Sequence, residues 1–178
     1  MQRTMSSEEL SVYTNQIKNP SETFKLFLHH YVTGSIWIRS RGEEDVSVWE
    51  KLKDNELEVA KQIIIDELKI VLDFSYIRAV GFFRDKRAIP LLKNIIDTYP
   101  KKWIAEKLFA AKVLYDWVGY DDYISMLEAV CQNRADDMMY SYLKVSIDQF
   151  IEGLNEEDKA RIMDAMSHPI CHSAWQHA

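Results

Sequence analysis

Four side chains able to ligate a soft or borderline cation crowd the end of the sequence: His168, Cys171, His172 and His177. Imidazole and thiolate are the donors zinc prefers, and Asp164 stands one helical turn before His168. Pro169 breaks that helix before His172 can extend the same face. A chain terminus is also where order is weakest. Residues 168–178 therefore read as a tail, with no metal and no cofactor assigned. His29–His30 is a weaker pair still, because adjacent residues of an α-helix point to different sides.

Asp121–Asp122 and Asp136–Asp137 have the chemistry for acid–base work. Each pair, however, stands at an expected helix start, where capping and the helix dipole already favour aspartate. The short signatures of phosphate loops, dinucleotide folds, nucleophile elbows, zinc proteases and dithiol redox sites are absent from the sequence. No catalytic residue is assigned, and an enzyme is the lesser reading. Recognition chemistry remains. Trp103, Trp117 and Tyr120 are aromatics of the kind enriched at binding hot spots. They lie in a stretch that also holds Asp116, Asp121, Asp122, Asp136, Asp137, Asp148 and Glu152. These ten residues form the candidate partner-binding set.

Helices must position them. The chain has five glycines and four prolines, most of them between apolar stretches of helical length. Ser6 or Ser7, with Glu8 and Glu9, predicts a capped helix over 6–18 that Asn19–Pro20 ends. Ser21–Glu22 opens a second, carrying Phe24, Phe27, Leu28 and Tyr31 at three- and four-residue steps and closed by Gly34. Residues 35–45 read as a polar loop. From Val46 one nearly continuous helical face runs through Trp49, Leu52, Leu57, Ala60, Ile63 or Ile64, and Leu68. Further helices are expected over 74–83, 88–98, 103–118, 121–131, 135–151 and 156–166. No stretch reads as a strand, and the short joints predict antiparallel neighbours.

The chain has 178 residues, 47% hydrophobic and 28% charged, and is expected to form a single helical domain over residues 1–167. That length buries enough surface to fold without metal or disulfides. Two cysteines and no signal peptide point to a reducing, cytoplasmic location. Apolar runs such as Ile63-Ile64-Ile65 fall far short of the roughly 20 residues that span a bilayer, so no membrane partner is expected. The net charge of −6 argues against sequence-independent capture of nucleic acid, which needs surplus cations. A small-molecule substrate is not expected either.

Self-comparison exposes a repeat. Ile89-Pro90-Leu91-Leu92 and Ile124-Ser125-Met126-Leu127 lie 35 residues apart, each just inside a helix after a tight joint. The segment from Val80 to Leu92 resembles the core of a HEAT repeat: a helix ending in a large apolar residue plus Gly81, Asp85 in the turn, then Ala88-Ile89-Pro90 opening the next helix. The second unit, Ala110 to Ile124, keeps the small Ala111, the large Leu114, and Gly119 and Asp121 in the turn. It has Ser125 where the first has Pro90. Ala79 and Ala111 would let helices approach, Gly119 would leave its helix left-handed, and Asp121 would cap the next. The resemblance is clearest over residues 74–154, with the helices of residues 6–33 as a cap. It implies an all-α fold of antiparallel helix pairs stacked as a short HEAT-like α-solenoid, an architecture that ordinarily grips a partner protein.

Charge is unevenly distributed. Residues 78–112 hold nine basic and three acidic residues, a net of +6, whereas residues 116–158 hold eleven acidic and two basic ones, a net of −9. Such polarity can steer a charged partner. Small acidic helical proteins with HEAT-like cores resemble bacterial immunity proteins, which occlude a cognate toxin. That resemblance implies a non-catalytic binder of another protein, a basic one. The alternative is a HEAT-like DNA glycosylase or other nucleic-acid-binding protein. Arg78, Arg84, Lys107, Lys112, Trp103, Trp117 and Asp116 would then form a basic, aromatic groove with an aspartate. The charge balance favours the protein binder. The sequence does not fix an oligomeric state.

Overall fold

Polar side chains cap the starts of several helices. The structure is a computed structural model and describes residues 5–34, 46–100, 103–132 and 147–168. Among them every regular element is helical and none is a strand, as expected for an all-α chain. The expected loop 35–45, most of the expected helix 135–151 and the tail beyond His168 lie outside the described residues. The chain divides into two compact units, Met1–Tyr99 and Pro100–Ala178.

In the first unit, α1 (Ser7–Thr14) opens with a capping box. Ser6 Oγ accepts from the Glu9 amide, and the Glu9 carboxylate accepts from the Ser6 amide. Ser21 caps α2 (Glu22–Phe27) by accepting from the Phe24 amide. The chain then runs directly into a π-helical turn, Leu28–Thr33, that stops at Gly34. A Cβ at Gly34 would lie 1.9 Å from the His29 carbonyl oxygen, so the site requires glycine. The π turn also brings the His29 and His30 rings edge to face, with centroids 5.7 Å apart, where the sequence reading had splayed them.

The face expected to run on from Val46 belongs to two helices, α3 (Val48–Lys51) and α4 (Asp54–Leu68). Leu52 and Lys53 between them are extended. The cause is a distant partner. Glu56, 3% exposed, accepts from the Ser21 amide at 2.7 Å and the Ser21 hydroxyl at 2.8 Å, which pins the start of α4 to the cap of α2. Burial pushes this carboxyl up, but the Ser21 bonds and Lys53 outweigh it and hold it below its ordinary value.

α5 (Phe74–Phe83) starts at Asp73, whose carboxylate accepts from both the amide and the hydroxyl of Ser75. A 3-10 turn, Lys86–Ala88, leads into α6 (Ile89–Thr98), with Pro90 in its first turn, where a missing amide proton does no harm. α5 has the expected bounds 74–83, and Gly81, which the repeat resemblance set at a helix end, does not end it. It lies inside α5, and the left-handed position falls on Arg84, at φ 50°. Continuing the helix to Phe83 carries that ring onto Trp49, 5.1 Å between centroids, inside a cluster with Phe24, Phe27 and Tyr31. Core packing outweighs the local signal of the glycine.

In the second unit, α7 (Ile104–Val118) ends at Gly119, left-handed at φ 72° as expected. α8 (Asp122–Gln132) packs on α7 and on α9 (Glu156–Ser167). Residues 147–151 are helical, and Asn155 caps α9 by accepting from the Asp158 amide at 2.9 Å. Leu108, Ala111, Leu114, Tyr123, Leu127, Phe150 and Ile162 are buried in this unit.

Candidate functional site

The backbone that positions the candidate acids is fixed by one buried tyrosine. Tyr123, in the first turn of α8, donates its hydroxyl to the Phe150 carbonyl oxygen at 2.6 Å, and its ring lies 5.4 Å from that of Tyr115. Phe150 in turn packs on Phe109, 5.0 Å between centroids. Burial drives the Tyr123 phenol far above its ordinary range, so it stays a proton donor. This tie places Asp121 and Asp122, at the start of α8, beside the segment that carries Asp148 and Glu152. Those four side chains are exposed.

Asp116 joins the same edge. A Cβ built at Gly153, which is left-handed at φ 78°, would lie 3.8 Å from Asp116 Oδ1. Asp116 is nonetheless occupied: Lys112 Nζ, one turn back on α7, donates to its two carboxylate oxygens at 2.6 and 2.5 Å. The i,i+4 spacing of Lys112 and Asp116 was a sufficient signal for that pair. Trp117 and Tyr120 are half-buried near this edge. Trp103 is half-buried at the opposite end of α7, about 20 Å away by helical rise, and is not brought to it. Asp136 and Asp137 lie outside the described residues.

Asp148, Gln149, Ile151, Glu152 and Lys159 line a shallow, open depression. Lys159 also donates to Glu156 at 2.9 Å. An ion pair between Arg161 and Glu128 braces α9 against α8, and it holds the Glu128 carboxyl below its ordinary value. The sequence reading missed this brace, since 33 residues separate its partners. Cys131 is buried, its thiol pushed up to about 11 by burial, so it is a protonated core residue at neutral pH.

Asp164 and His168, one turn apart at the end of α9, are in contact, with His168 Nδ1 3.1 Å from Asp164 Oδ1. Cys171, His172 and His177 lie outside the described residues. Among the described residues no three His, Cys, Asp or Glu side chains group as a metal site. None of the described helices is long and apolar enough to cross a membrane. When the chain is compared with known proteins, no family model, no curated protein and no solved structure matches it.

Proposed function

We propose that this chain is a non-catalytic, HEAT-like helical scaffold that binds a basic partner protein through the acidic edge of its second unit. An immunity protein covers its toxin in this manner. One observation carries the reading: Asp121, Asp122, Asp148 and Glu152 are exposed, with no ionic partner among the described residues, on a backbone held by the buried Tyr123–Phe150 bond. Carboxylates displayed on a fixed backbone steer a cationic surface and lose little freedom on binding it. The stacking of helix pairs belongs to the same proposal. It is supported by the burial of Ala79 and Ala111 and by the left-handed exit at Gly119. A cytoplasmic setting fits the buried, reduced Cys131. A glycosylase-like groove draws less support, because Lys112 and Asp116 neutralise each other.

Co-purification of the tagged chain with the products of neighbouring genes tests the proposal. A basic protein is expected to be retained. A variant combining Asp121→Asn, Asp122→Asn and Glu152→Gln should keep its thermal stability and bind that protein about tenfold more weakly. Equal affinity of the variant, or no retained basic partner, overturns the reading.

A further inference from the structure

The first unit displays a surface of the opposite sign. The two phenylalanines that finish α5 do different work. Phe83 turns onto Trp49, while Phe82 is 43% exposed on a helix whose other face is buried. The helix then stops on Arg84 in the left-handed conformation, which is unfavourable for a residue with a Cβ. Helix-dipole complementarity explains a cation in the last turn, but not one at the single position that glycine would fill without strain. Among the described residues Arg84 Nε donates only to its own helix, to the Gly81 carbonyl oxygen at 3.3 Å.

The nearest acid in sequence is taken up by another cation. Asp85 accepts from the Arg87 amide at 2.9 Å and from the Arg87 guanidinium at 2.9 and 2.5 Å, so its charge is matched within the turn. Lys86 is exposed in the 3-10 turn and Lys93 is exposed on α6, and neither has an ionic partner among the described residues.

We propose that Phe82, Arg84, Lys86 and Lys93 form a docking patch for an acidic segment of a partner protein, one in which carboxylates flank an apolar side chain. The guanidinium fork matches a carboxylate, and the exposed Phe82 ring offers an apolar contact. Three cations are few for tracking a phosphate backbone, and the chain's net charge of −6 opposes one.

The probe is a fluorescent eight-residue peptide of alternating glutamate and leucine, followed by anisotropy at low salt. Arg84→Gly relieves the left-handed strain, so its melting temperature should hold or rise while peptide affinity falls about fivefold. Phe82→Ser should weaken binding as well. Asp121→Asn and Glu152→Gln should leave it unchanged, which separates this patch from the acidic edge. No binding of the peptide, affinity unaltered by Arg84→Gly, or tighter binding of a ten-nucleotide oligothymidylate would overturn the proposal.

Discussion

The turns that end α5 and α7 use one backbone device with opposite consequences. Each leaves its helix through a left-handed residue, Arg84 at φ 50° and Gly119 at φ 72°, and each carries an aspartate shortly after. Two residues beyond Asp85 stands Arg87, which folds back on it. Arg87 also donates to Gln62 at 2.7 Å, Gln62 donates to Asp66 at 2.7 Å, and Asp66 accepts from Tyr13 at 3.1 Å and Lys69 at 2.7 Å. The aspartate of the first turn is thus one end of a polar chain reaching across α4 to α1. Two residues beyond Asp121 stands Tyr123, which turns into the core and donates to Phe150 instead. Asp121 is left exposed. Whether a similar turn becomes a brace or a display site is decided by the side chain two positions on.

The largest break in that comparison is expected from Asp85→Ala. It removes the cap of the 3-10 turn and two charge-assisted bonds, and should lower stability by about 2 kcal/mol in urea denaturation. A loss no greater than that of Asp121→Ala would erase the distinction between brace and display. The pH dependence has a definite sign. Arg87 holds the Asp85 carboxyl below its ordinary value, so the folded state binds its proton less readily than the unfolded state. The stabilisation is therefore present above the unfolded value, near pH 4, and is lost as the pH falls through the folded one. Amide exchange in the first turn should accelerate below about pH 4 before exchange in the second.

Next comes Tyr123→Phe, which leaves a buried carbonyl without its donor. A loss of about 1–2 kcal/mol is expected, together with faster exchange at the start of α8. A fully stable variant would mean that the acidic edge is held by something else. Gly119→Ala should follow at about 1 kcal/mol. Its new Cβ meets nothing within 4 Å, so backbone strain is the whole effect. Arg84→Gly should have the opposite sign, and a shared sign would show that the two turns are not equivalent.

Local chemistry made much of the fold legible. Ser6 and Ser21 cap the helices expected of them, and Gly119 ends its own. What was not legible depends on partners far apart in sequence. The break at Leu52 follows from Glu56 reaching Ser21, 35 residues away. The packing of Phe83 on Trp49 is a second contact of this kind. The candidate site divides in the same way. Residue type and the acidic run of the sequence gave the acids at 121, 122, 148 and 152, whereas their assembly depends on a hydroxyl–carbonyl bond spanning 27 residues. The π turn had no local signal beyond Gly34, whose role is visible only once the His29 carbonyl stands where a Cβ would be.

The smallest stability effect belongs to the residues with the most direct functional role. Asp121→Asn with Asp122→Asn keeps side chains that can still accept at a helix start, and the exposed carboxylates have no ionic partner among the described residues to lose. A change within about 0.5 kcal/mol is expected in urea. The same pair of substitutions removes two charges from the acidic edge, so association with a cationic protein should slow and its salt dependence should flatten, as for any steered encounter. Stopped-flow association at two ionic strengths reads both quantities. A large fall in stability would place these aspartates with Asp85 as braces. An unchanged association rate would show that the edge is a solvated surface and that the partner binds elsewhere.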